Sequence, residues 1–298
     1  MGIKMITSDS SDYPENLRKI HNPPEKLYYK GDIGLLSGRC VSVVGSRTTN
    51  AYGKATAEAI ARQLADKDVC VISGMARGID TCVHKGALSV FGKTAAVLGC
   101  GLDICYPPEN RELMREIEEN GLLITEYGPG TRAQKHNFPN RNRIISGLSE
   151  MTVVVQARNR SGALITAELA AEQGREVMAV PGNIDSQYNL GSNKLIKEGA
   201  IPVISVSDVL DALGLNSVSE EEAKSKLSSM EYTIFSLLKE NGEMSIDEVC
   251  AKLEKTPAYI NPVIAVMEMK GFTFSEMGKI FLANMQECSY NRRLELSK

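Results

Sequence analysis

No C-x-x-C pair occurs in this 298-residue chain, and its only imidazoles are His21, His84 and His136, so no Cys/His spacing suits a structural zinc ion. The seven cysteines are odd in number and several sit inside apolar runs, as small reduced core residues do; a disulfide framework is excluded. The first eleven residues lack a basic stretch leading into an apolar one, and no apolar run approaches the ~18 residues a membrane span needs. The expectation is a cytoplasmic protein with no membrane span. Internal repeats and low-complexity tracts are absent too.

Acid is missing from one region in particular. Between Glu126 and Glu150 there is no carboxylate side chain, while the interval holds Arg132, Lys135, Arg141 and Arg143. Over residues 127–167 six Lys/Arg face a single acid, a local charge of +5 in a chain whose net charge is -3. Inside this strip the string Phe138-Pro139-Asn140-Arg141-Asn142-Arg143-Ile144-Ile145 sets an aromatic ring beside two guanidinium groups. Bases stack on aromatics while cations follow phosphates, so the combination suits single-stranded nucleic acid despite the overall acidity. The alternative is a Phe138 that belongs to the core and arginines that form a solvated helix face.

From Cys40 onward short apolar runs alternate with helical stretches, the rhythm of a parallel sheet covered on both faces. Strands are expected at 41–44, 69–72, 94–98, 122–125, 152–155, 176–180 and 202–205, with helices at 51–66, 79–90, 109–119, 143–148, 163–173 and 190–197. The strands do not alternate polar with apolar, which fits burial on two sides. The fold class is therefore α/β, a Rossmann-like doubly wound, mostly parallel sheet over residues 39–214. Residues 1–38 read as an extension packed on that sheet. A polar linker with an acidic patch (215–228) leads to a winged-helix domain (229–286) and a tail (287–298). In that domain Ser245 looks like an N-cap answered by Glu248, and a helix over 258–270 stops at Gly271. This last helix carries a single cation, Lys270, so groove reading by it is weak.

In a doubly wound sheet ligands gather beyond the carboxyl ends of the strands. The first such end, Gly45-Ser46-Arg47, places a hydroxyl and a guanidinium at a helix start, a setting that attracts phosphate. Its spacing is not G-x-G-x-x-G, and the second strand ends in Ser73-Gly74 where a ribose-binding acid would stand, so a nicotinamide dinucleotide is disfavoured and no cofactor is expected. Gly92-Lys93-Thr94 imitates a P-loop, but Ala87 replaces its first glycine and a strand follows it where a helix is required. Asp80 and His84, one helical turn apart, could be a base and its orienter or an ordinary structural pair. Ser161, an expected N-cap, and Gly162 follow the fifth strand beside Arg160, and Pro181-Gly182-Asn183 ends the sixth.

Taken together these strings resemble the DNA-processing protein A family, also called DprA or Smf. The resemblance is carried by Val44-Gly45-Ser46-Arg47, by Ser73-Gly74-Met75-Ala76-Arg77-Gly78-Ile79-Asp80 with His84, and by Gly101-Leu102-Asp103 with Tyr106-Pro107. It extends through Thr125-Glu126-Tyr127, the Phe138 string, Ser161-Gly162-Ala163-Leu164-Ile165-Thr166-Ala167 and Val180-Pro181-Gly182. It implies a non-enzymatic protein of natural transformation that binds and protects incoming single-stranded DNA and, as a homodimer, helps load RecA. It also implies that Gly45, Ser46, Arg47 and Lys135 meet phosphate and that Phe138 stacks on a base. Arg141 and Arg143 either complete the pocket or hold its loop in shape, and Asn142, Ser161 and Gly162 complete the expected contact set. Gln156 departs from the Glu that many members carry after the fifth strand, which weakens any catalytic role there. The competing expectation is a Rossmann-like nucleoside monophosphate hydrolase, although its Pro-Gly-Gly-x-Gly-Thr loop is absent.

Overall fold

The computed structural model describes residues 2–215, 220–276 and 278–282, and the chain divides into two compact units, Met1–Val209 and Leu210–Lys298. Residues 216–219 of the expected linker, Met277, and the expected tail at 287–298 with Cys288 lie outside the described residues.

The first unit is built on a nine-stranded sheet: β1 (Lys4–Thr7), β2 (Lys26–Gly31), β3 (Cys40–Val44), β4 (Cys70–Ser73), β5 (Thr94–Val97), β6 (Leu122–Thr125), β7 (Met151–Val154), β8 (Glu176–Ala179) and β9 (Ile201–Pro202). Their order is β1-β2-β6-β5-β4-β3-β7-β8-β9. The seven strands from β6 to β9 run parallel, and β3 to β7 are buried along their whole length, as unbroken apolar runs require. Hydroxyls that fall inside the sheet find partners there: Ser42 meets Thr152 at 2.7 Å, and Ser73 donates to the Val43 carbonyl at 2.8 Å. The helices are α1 (Glu15–Arg18), α2 (Ala51–Asp66), α3 (Ile79–Leu88), α4 (Arg111–Asn120), α5 (Asn137–Gly147), α6 (Gly162–Glu172), α7 (Leu190–Lys197) and α8 (Ser207–Ala212). The crossovers put α2, α3 and α4 together on one face as the chain moves outward from β3 to β6. The chain then crosses back to β7, and α5, α6 and α7 cover the other face. The reversal makes β3 and β7 neighbours at the switch point, where a crevice opens at their carboxyl ends.

Three local features depart from the expected pattern. The first 38 residues pack on the sheet through Tyr13, Leu17 and Ile20, and also join it edgewise, because β1 and β2 pair antiparallel and β2 pairs with β6. The helix expected over 143–148 starts six residues earlier, at Asn137. Pro139 falls in its first turn, where no N–H is needed for the helical ladder, so the proline costs the helix nothing. The strand expected at 202–205 stops at Pro202, which has no N–H to donate and lies on the sheet edge. The Val203 amide still donates to the Ala179 carbonyl at 2.9 Å, and Asp208 then takes the amides of Ile204 and Ser205 at 2.6 and 2.8 Å and turns the chain into α8.

The second unit holds α9 (Glu220–Lys226), α10 (Ser229–Asn241), α11 (Ile246–Leu253) and α12 (Pro257–Met269), with β10 (Met244–Ser245), β11 (Thr273–Glu276) and β12 (Lys279–Leu282) in an antiparallel sheet of order β10-β12-β11. Its core gathers Ile234, Phe235, Leu238, Val249, Ile260, Ile264, Met267 and Ile280. Two capping boxes start its helices, Ser228 with Glu231 and the expected Ser245 with Glu248.

Candidate functional site

Two glycine-rich strand ends interlock at the switch point. Gly78, at φ +80°, lies so close to the β3 loop that a Cβ would meet the Ser46 carbonyl oxygen at 2.4 Å, and a Cβ on Gly45 would stand 2.6 Å from the Ile79 side chain. The Ile79 amide donates to the Ser46 carbonyl at 3.2 Å and the Ser46 amide to the Gln156 carbonyl at 2.8 Å, which ties the loops after β3, β4 and β7 together. Behind them Gln156 is fully buried. Its Oε1 accepts from Thr49 Oγ1 at 2.6 Å, and its Nε2 donates to Asn50 at 3.1 Å and to Asn189 at 3.3 Å. A carboxylate in its place has no donor for the two asparagines, so Gln156 fills a structural position. Asn50 in turn caps α2 through the Gly53 amide.

Above this base lies a cavity of about 560 Å³, within the range of pockets that hold a mononucleotide-sized ligand. The β3 loop contributes Gly45, Ser46 and Arg47, and the β7 loop contributes Arg158, Arg160, Ser161 and Gly162. From the third side come Lys135, Phe138, Arg141 and Asn142. Nine of the ten residues expected from the sequence thus meet in one wall, although they are drawn from segments more than a hundred positions apart. Five cations line the cavity against a single acid, Asp80.

The cations differ in what they can do. Arg47, Lys135, Arg158 and Arg160 are exposed. Arg141 is 4% exposed and sits beneath the cavity floor, where it donates to the carbonyls of Gly74, at 2.6 Å, and Val97, and to Asn142 Oδ1 at 3.3 Å. Burial lowers its pKa to about 10, opposed by Asp80, so it stays charged at neutral pH. Burial raises the Asp80 carboxyl, opposed by Arg141 and by the Ala76 amide that donates to it at 3.3 Å. Arg143 does not line the cavity. It forks onto Glu126 at 3.1 and 2.6 Å and reaches the Asn140 carbonyl, which fixes α5 against the strand end it follows. Asn142 links α5 to α6 through the Gly162 carbonyl at 3.3 Å, and Ser161 caps α6 by accepting from the Ala163 amide at 3.3 Å.

Phe138 is half-buried in the first turn of α5. The Arg47 guanidinium lies 5.1 Å and that of Arg141 5.9 Å from its ring centroid. The Tyr106 ring stands 5.4 Å away, tilted by 39°. The expected set omitted Tyr106, Arg158 and Ile165, which also face the cavity. The readable signal for the first two was their position in loops that follow strands; Ile165, 38% exposed on α6, had none.

Asp80 and His84 do not assemble as an acid–base pair. His84 is fully buried and its Nδ1 meets Thr94 Oγ1 at 2.8 Å, whose hydroxyl donates to the Val71 carbonyl, so Nδ1 carries the proton. Its Nε2 has no partner, and burial, aided by Arg141, lowers the pKa to about 3. Among the described residues no group of three or more His, Cys, Asp or Glu is placed to hold a metal ion, and no helix is long and apolar enough to cross a membrane.

Comparison with known proteins gives the same direction. The chain is 42% identical to the DNA processing protein DprA of Bacillus subtilis over 222 residues, 74% of this chain and 75% of that protein. It is 45% identical to the DprA of Streptococcus pneumoniae over 198 residues, 66% of this chain and 70% of that one. A crystal structure of the Streptococcus pneumoniae protein matches with a TM-score of 0.68 over 71% of this chain and 74% of the other. A structure of DNA processing protein A from Helicobacter pylori, described for its single-stranded DNA binding mode, matches with a TM-score of 0.67 at 28% identity, over 73% of this chain and 98% of the other. The family model for DNA recombination-mediator protein A matches residues 4–214, which hold the sheet and every residue of the cavity, and the chain belongs to that family.

Proposed function

We propose that this protein binds single-stranded DNA in the switch-point cavity without reading its sequence. The observation that carries the reading is the meeting of four exposed cations with a half-buried aromatic ring at the carboxyl edge of β3 and β7. Exposed guanidinium and ammonium groups follow the phosphates, and every base has a face to lay against Phe138. Gly45, Ser46, Arg47 and Lys135 hold backbone, helped by the capped start of α6 at Ser161 and Gly162. Arg141, Asn142 and Arg143 shape the wall from beneath and from the side. The single-stranded DNA binding mode described for the Helicobacter pylori protein supports this ligand.

The protein acts by binding rather than by catalysis. The one carboxylate in the cavity wall is buried, and the nearby imidazole is held neutral and bonded elsewhere. In this reading the bound strand is incoming DNA of natural transformation, protected and handed to RecA for homologous recombination by a homodimer; membership in a recombination-mediator family supports the handover. The six free cysteines among the described residues suit the reducing cytoplasm. The second unit is a winged-helix domain, supported by its three successive helices α10, α11 and α12 followed by the β11–β12 hairpin. Affinity for oligo-dT against the matching duplex in the same salt tests the assignment. Equal binding to both overturns it, and release of base or phosphate from nucleoside monophosphates favours the hydrolase instead.

A further inference from the structure

The cavity has two flanks, and they are not alike. On the β4–β5 side Arg77 is paired with Glu109, and the space beside Tyr106 narrows to about 60 Å³. On the β7–β8 side Arg158 and Arg160 form no ion pair among the described residues, and Arg158 reaches from the cavity wall to the loop between β8 and α7. That loop carries Tyr188, whose ring is half-buried and covered on one face by the Arg158 guanidinium, 5.0 Å from the centroid. The loop is anchored at three points. Tyr52 donates to the Pro181 carbonyl at 3.3 Å, Asn193 brackets Gly182 with bonds of 3.0 and 2.9 Å, and buried Asn189, next to Tyr188, receives a bond from Gln156. Both ends of the loop are thus tied down, and Tyr188 stands next to one of the anchors with Arg158 over its ring. One carboxylate, Asp185, shares the loop and is exposed.

Arg158 lines the cavity that holds Phe138 and at the same time covers Tyr188. A cation shared by two aromatic positions is placed to meet the phosphate that links two bases. We propose that Tyr188 is a second stacking platform for the same DNA strand, with Arg158 holding the phosphate between the base on Phe138 and the next one outward. The platform sets the direction of the strand: out of the cavity past β7 and over β8, away from the flank neutralised by Glu109. This rests on the reading that the cavity binds single strands.

The test compares thymidine 5′-monophosphate, which carries a single base, with dT12, which spans both rings, at one salt concentration. Tyr188→Ala is expected to weaken dT12 binding about five- to 150-fold and to leave the mononucleotide unchanged, while Tyr188→Phe binds dT12 like the wild type. The chain has no tryptophan, so Tyr188→Trp adds a single indole whose fluorescence is quenched by dT12 and not by the mononucleotide. Equal binding of dT12 by the wild type and Tyr188→Ala overturns the platform, as does an equal loss for both ligands, which marks a structural role. If Tyr188→Ala does not fold, an indole in Tyr188→Trp that stays silent to bound dT12 overturns it. A wild type that binds neither ligand overturns the underlying reading as well, and that outcome is distinct because the unaltered protein itself fails.

Discussion

Replacing Phe138 with alanine separates base stacking from packing, because the ring is neither fully buried nor free. Its inner edge is held: a Cβ built on Gly99 would stand 3.1 Å from the ring, and Tyr106 packs at 5.4 Å. Its other surface faces the cavity beneath Arg47. Truncating a fully buried Phe costs about 3 to 5 kcal/mol, so a half-buried one that also loses an aromatic pair should cost about 1 to 2 kcal/mol of stability. Stacking is worth about 1 to 3 kcal/mol per base, which converts to about a five- to 150-fold loss of oligo-dT affinity. Urea unfolding and anisotropy titration on the same variant read the two numbers. Phe138→Tyr should restore both, whereas Phe138→Leu should restore most of the stability and little of the binding. If Leu binds as tightly as Phe, the ring serves packing alone and the stacking argument fails.

Other perturbations reach different parts of the structure. Single-strand affinity should fall with salt by a logarithmic slope of about -0.7 per neutralised phosphate, and Arg47→Ala should flatten that slope by about one such unit in a salt titration; an unchanged slope removes Arg47 from the phosphate path. A chain ending near Leu215 should keep most of its oligo-dT affinity, since the cavity wall lies wholly within residues 44–166; loss of binding by a truncated protein that circular dichroism shows to be folded would move the site to the second unit. His84, depressed to about 3 in the folded state from 6.5, contributes stability that is present above pH 6.5 and is lost as pH falls toward 3. Between pH 7.5 and 5 that loss is about 2 kcal/mol, and His84→Asn, whose amide can donate to Thr94 without titrating, should remove it from the difference between the two unfolding curves. Raised Asp80 works in the opposite sense in both proteins and cancels from the comparison.

The apolar runs at 41–44, 94–98 and 122–125 disclosed a parallel sheet because strands covered on both faces must be apolar throughout, a property of each segment alone. The strand-end glycines and the acid-free strip were legible for the same reason: turn geometry and local charge are local. The start of α5 was hidden by Pro139, which usually breaks helices but is harmless in a first turn. Arg141 and Arg143, two positions apart, look alike in the sequence. On a helix two residues are turned about 200° from each other, so one enters the floor beside Asp80 and the other leaves toward Glu126. Tyr106, Arg158 and Tyr188 come from loops after β5, β7 and β8, and only the strand order brings those loops to one edge. Sequence by itself determined most of the elements between residues 39 and 214, the fold class and the charge of the site. Which cations stay exposed, which is buried, and which rings share a wall were decided by the tertiary structure, because burial and through-space contact depend on what the rest of the chain places alongside.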